Sequence, residues 1–192
     1  MTMNRREWLK CVSALAVGAV AAPSLLAVLD AHAASQTPGA APAFFNPRQT
    51  SLIGAVADIV IPRTETPGAT DAGVPAFIDS MFRDVYTKAE RQIYLTALAA
   101  FDQAGGKPFL QLDEAQRKAL VLRLHAKALG HAPDARLPPA EDFVMRTKKL
   151  TMLGFYVSQP GCTQELQYVA VPGALKSDIP LSQAGNGRAW AT

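Results

Sequence analysis

Cysteine is nearly absent. Of 192 residues only Cys11 and Cys162 carry a thiol. Cys11 lies in an apolar leader, so once that leader is removed no intrachain disulfide can form. Cys162 is then alone. In an oxidising compartment it is either buried, as an inert small hydrophobe, or paired with a cysteine on another chain. Histidine is also scarce, with three in the chain. His125 and His131 are too far apart along a helix to share a metal on one face. No C-x-x-C-H occurs, which excludes covalent c-type haem, and no zinc-type spacing is present. No G-x-G-x-x-G follows a strand pattern, so a dinucleotide site is not expected. Charge of one sign is lacking too. The net charge is +3, without a dense basic run, and this gives no footprint for nucleic acid. Ser158, Cys162 and Thr163 are candidate nucleophiles with no base near them in sequence. Asp71, Asp79, Glu141 and Asp142 read as loop, cap and helix-face groups. The inventory yields no catalytic residues, no cofactor-binding residues and no metal ligands.

What is present begins at Asn4-Arg5-Arg6-Glu7-Trp8-Leu9-Lys10. Paired arginines precede an aromatic, a leucine and a lysine. An apolar run follows from Cys11 to Leu29, rich in alanine and broken by Gly18 and Pro23. Ala31-His32-Ala33 then places small residues at both positions read by a signal peptidase. Basic n-region, apolar h-region and A-x-A site make a bacterial export signal, and the arginine pair points to the twin-arginine route. Asn4 departs from the usual Ser or Thr, and Trp8 keeps the aromatic character of the usual Phe. An uncleaved membrane anchor is the alternative. Pro23, Asp30 and the A-x-A site argue for cleavage after Ala33. The signal residues are therefore Arg5, Arg6, Trp8, Leu9 and Lys10, with Ala31 and Ala33 at the cleavage site. The destination is the periplasm, and the translocase is one expected partner.

The remainder, about 160 residues, suits one domain. Residues 34–47, with Pro38, Gly39, Pro42 and Pro47, read as an extended, mobile linker. Helical spacing then recurs, and an all-α fold of about five helices is expected. Leu52, Ile53, Val56, Ile59 and Val60 mark a first helix from Arg48 to Val60, ended by Pro62. A long loop from Arg63 to Pro75 follows, with a Pro67-Gly68 turn and Gly73 open to positive φ. Phe77, Ile78, Met81, Phe82 and Val85 form the stripe of a second helix. Thr87-x-x-Glu90 and Asp113-x-x-Gln116 read as capping boxes. They open a third helix, with Ile93, Tyr94, Ala97, Leu98 and Phe101, and a fourth, with Leu120, Val121, Leu124 and Ala128. Gly105-Gly106 and Gly130 are their stops. A fifth helix starts near Ala140 and buries Phe143, Val144, Leu150 and Leu153. From Gly154 the chain changes character, dense in aromatics, glycine and amides up to Tyr168. Residues 174–192 read as an irregular polar tail. Trp190 in that tail either anchors a partner or folds back on its own domain.

The chain resembles the gluconate 2-dehydrogenase subunit 3 family. The resemblance rests on Asp58-Ile59-Val60-Ile61-Pro62, Thr66-Pro67-Gly68-Ala69, Asp71-Ala72-Gly73-Val74-Pro75 and Phe77-Ile78-Asp79. Gly154-Phe155-Tyr156, Gly161, Glu165-Leu166, Tyr168 and Val171-Pro172-Gly173 reinforce it. It covers Leu52 to Gly173 and implies the non-catalytic small subunit of a membrane-associated periplasmic sugar or polyol dehydrogenase. In such complexes a flavoprotein large subunit holds FAD and oxidises the substrate. A membrane cytochrome c subunit carrying haem c often passes electrons onward. The small subunit brings the flavin subunit, already folded, through the twin-arginine channel. Partner contacts are then expected at Pro67, Gly68, Asp71, Gly73, Phe155, Tyr156, Cys162, Glu165, Tyr168 and Trp190. A stand-alone periplasmic all-α enzyme or ligand-binding protein, and a transient maturation chaperone, are the alternatives.

Overall fold

A computed structural model describes residues 43–132 and 134–168, together with the isolated positions 180 and 188. The signal and cleavage residues, the linker up to Pro42, residues 169–173, most of the tail and Trp190 lie outside the described residues. What is described is an all-α domain, with no β-strand among those residues.

Helix α1 spans Pro47–Val60. Asn46 caps it, accepting from Gln49 N–H at 2.9 Å, while the Gln49 side chain accepts from Asn46 N–H at 3.0 Å. Pro47 supplies a preset φ in the first turn, where no amide is needed. Helix α2, Val74–Ser80, runs into a π turn at Met81–Val85. Helix α3, Lys88–Gln103, and helix α4, Glu114–Leu129, start at the expected Thr87/Glu90 and Asp113/Gln116 boxes. Helix α5 spans Pro139–Tyr156 and is followed by a second π turn, Gly161–Glu165.

Helix α5 is the hub, packing against α1, α2, α3 and α4. A chain of rings crosses the core beside it. Phe82 meets Tyr94 at 4.3 Å, Tyr94 meets Phe143 at 5.3 Å, Phe143 meets Phe101 at 4.7 Å and Phe101 meets Phe109 at 4.8 Å. Each such pair contributes about 0.5–1.5 kcal/mol beyond its buried area. The Tyr94 hydroxyl shares a 2.8 Å hydrogen bond with Thr147 on α5, and burial pushes its phenol well above the ordinary range. Asp102 ties three parts together. It accepts from Arg48 on α1 at 2.7 Å and from Phe109 N–H at 2.9 Å.

Three expectations need correction. The described end of the linker is docked, not free. Phe45 is buried, and Phe44 and Phe45 N–H both donate to Asp79 at 2.9 Å. The fifth helix runs past Leu153, the last position of its expected stripe, since Gly154, Phe155 and Tyr156 complete α5. Finally, Val85, Ile93 and Leu153 leave their apolar stripes and stand exposed. For Val85 the cause is the π turn, whose wider winding rotates later side chains off the helical register.

Candidate partner-binding face

The loop between α1 and α2 is closed by its own hydrogen bonds. Ala69 N–H donates to Ile61 C=O at 3.0 Å and Val74 N–H to Ala69 C=O at 3.1 Å. Asp58, on the last turns of α1, accepts from Thr70 N–H at 2.9 Å and from its hydroxyl at 2.7 Å. Asp71 accepts from Arg63 Nε at 2.7 Å, from a second guanidinium nitrogen of Arg63, and from Gly68 N–H at 3.0 Å. The Arg63 bonds and the Gly68 amide hold the Asp71 carboxyl below the usual carboxylate range. Gly73 takes φ 76°, the left-handed turn expected of it. Pro67 is half-buried and Gly68 buried, whereas Asp71 and Gly73 face solvent. The loop therefore presents a polar, preformed edge.

The second expected stretch arrives beside it. A Cβ on Gly161 would sit 2.0 Å from Phe155 C=O, so the chain doubles back tightly there. Ser158 Oγ donates to Phe155 C=O at 2.6 Å and accepts from Gly161 N–H at 3.2 Å. Cys162 Sγ lies 3.0 Å from Tyr156 C=O, and Thr163 Oγ1 donates to Gln159 C=O at 2.8 Å. All three candidate nucleophiles thus bond to nearby backbone carbonyls. The loop and this turn meet where Thr66 Oγ1 and Glu165 Oε2 lie 3.4 Å apart.

The expected contact residues divide by exposure. Tyr156, Glu165 and Tyr168 are exposed and Cys162 is half-buried. Two are corrections: Gly68 is buried, and Phe155, at 2% exposure, belongs to the domain's own core and offers a partner no surface. Residues that the sequence reading missed replace them. Met152, Leu153 and Val157 are exposed at 42–60%, continuing the face of Tyr156 along the last turns of α5. Leu153 had helical core spacing, which disguised it, and Met152 and Val157 carried no motif. Val157 directly follows α5, so the exposed apolar turn sits at the entry to the Gly161 turn.

Elsewhere, His131 Nε2 and Glu141 Oε2 lie 2.8 Å apart, fastening the α4–α5 connection to the first turn of α5. His125 on α4 meets Lys148 on α5 at 2.9 Å. Among the described residues no group of three or more His, Cys, Asp or Glu side chains is placed to hold a metal. None of the described helices is long and apolar enough to cross a membrane.

Searches of curated proteins and of solved structures returned no match. A protein-family model, described as gluconate 2-dehydrogenase subunit 3, matches residues 47–173. The match opens at the first residue of α1 and takes in the loop, all five helices and the Gly161 turn. The chain belongs to the gluconate 2-dehydrogenase subunit 3 family.

Proposed function

We propose that this chain is the small, non-catalytic subunit of a periplasmic FAD-dependent sugar or polyol dehydrogenase. It binds the flavoprotein subunit and carries it, folded, through twin-arginine export. The family match across residues 47–173 carries the reading. Two further observations support it. The leader has the arginine pair Arg5-Arg6 and the Ala31-His32-Ala33 site. The end of α5 leaves Met152, Leu153, Tyr156 and Val157 in solvent, and clustered exposed apolar side chains mark partner surfaces. FAD belongs to the large subunit in this reading, and haem c to a membrane cytochrome subunit where one is present. Cys162, half-buried in the same turn, is the thiol through which a disulfide to the flavoprotein would form.

The test is co-expression of the full chain with the flavoprotein subunit, then affinity isolation with flavin absorbance and mass spectrometry. A stoichiometric FAD protein is expected. A flavin-free monomer overturns the reading, and a substoichiometric partner turns it into a transient chaperone. Replacing Tyr156 and Tyr168 together by alanine should release the flavoprotein while leaving the helical signal intact. Both side chains are exposed, at 40% and 55%, so their loss costs the domain little. Unchanged recovery of the flavoprotein moves the interface away from this face.

A further inference from the structure

A cleft of about 180 Å³ lies between the end of α1, α4 and α5. Ile59, Val60, Leu122 and Val144 give it apolar walls, and His125 and Lys148 are its polar groups. Leu122 stands 54% exposed at the rim. Lys148 Nζ lies 2.9 Å from His125 Nε2. An ammonium has donors only, so Nε2 must accept and the imidazole is neutral, with its proton on Nδ1. Among the described residues Lys148 makes no ion pair, and no carboxylate lines the cleft. The nearest acid along α1, Asp58, is turned to Thr70. Two basic side chains on an apolar cleft, with no counter-charge, are complementary to a carboxylate flanked by hydrocarbon.

Resting on the subunit reading above, we propose that this cleft receives an aspartate or glutamate side chain of the flavoprotein subunit, flanked by apolar residues. The carboxylate draws the Lys148 ammonium away from His125 Nε2, its apolar neighbours cover Leu122 and Ile59, and Nε2, protonated on binding, becomes the second donor. This makes the α1–α4–α5 cleft a second contact, separate from the Tyr156 turn. The cleft also has a pH signature. In the free chain, burial first and Lys148 second hold His125 below its ordinary pKa. Lys148 is the charged group facing the ring from α5, and α1 contributes only Ile59 and Val60 to the cleft. A bound carboxylate favours the imidazolium, so binding takes up a proton. Affinity then rises as pH falls through the range in which histidine titrates, and levels off only below the lowered pKa of the free chain.

The experiment titrates the full chain against the FAD-loaded flavoprotein subunit by calorimetry across that pH range. Lys148→Met keeps the alkyl stem and should raise Kd about tenfold or more. Leu122→Asp should raise it comparably, by placing a like charge opposite the incoming acid. His125→Gln should flatten the pH profile, a change that a merely structural role would not produce. Circular dichroism melts identical to wild type establish that the variants fold. If wild type binds the flavoprotein and all three variants bind with its Kd and pH profile, the cleft proposal is overturned and the subunit reading stands. If wild type does not bind the flavoprotein, the subunit reading falls, and the cleft loses the occupant named for it.

Discussion

At Gly161 the chain needs the absence of a side chain, because a Cβ there would lie 2.0 Å from Phe155 C=O. The obstacle is backbone, which cannot swing aside as a flexible side chain would. Gly161→Ala should therefore cost about 2–4 kcal/mol in urea unfolding, in the range of strained or overpacked sites. Gly73 is a useful contrast. It takes φ 76° with nothing near its missing Cβ, so Gly73→Ala should cost only about 1 kcal/mol of left-handed strain. Equal losses for the two variants would mean that the Gly161 turn opens easily. The residue scale also shows what a sequence can and cannot reveal. The loop position of Gly73 was legible, since a turn between helices asks for such a residue. The demand on Gly161 was not, since it arises from how α5 ends.

Among the elements, the helix starts were the most legible feature. Thr87/Glu90 and Asp113/Gln116 act within a single turn, so the residues that define each start sit together in the chain. Asn46/Gln49 forms the same box, hidden in a stretch that proline made look like linker. The Met81–Val85 and Gly161–Glu165 π turns left no comparable local sign in the sequence. The candidate face shows the same division. Asp71 and Gly73 were legible within the loop, but the approach of Thr66 to Glu165 joins positions 99 residues apart. Docking of the lead-in to α1 is likewise tertiary. It rests on Asp79, which accepts from Phe44 and Phe45 N–H and lies 3.5 Å from Arg83. Asp79→Ala should leave those amides without acceptors and cost about 2–4 kcal/mol. Hydrogen exchange should accelerate at Phe44 and Phe45, with the middle of α5 changing least. Uniform acceleration across α5 would instead make Asp79 part of the core's own support.

For the whole molecule, the proposed division of labour lies between an export leader at the N-terminus and the helical domain that follows it. The domain stacks Phe82, Tyr94, Phe143, Phe101 and Phe109 in one internal column, and several of its exposed apolar side chains lie at the end of α5 and along the α4 rim. Such a body suits a carrier, since a partner's surface complements it after both have folded. The proposed export route demands that order. Twin-arginine export depends on the guanidinium pair, and lysine keeps the charge but loses the planar donor fork. Arg5→Lys with Arg6→Lys should therefore strand both this chain and the flavoprotein in the cytoplasm, while the assembled pair still forms there. Fractionation followed by immunodetection reads both locations at once, and affinity isolation from the cytoplasmic fraction reads assembly. If this chain is retained while the flavoprotein still reaches the periplasm, the flavoprotein travels by its own signal and the carrier role is wrong. If both are retained as separate chains, pairing depends on the periplasm and export of a folded complex is ruled out. Retention of a stoichiometric, flavin-loaded pair is the outcome that assembly before export requires.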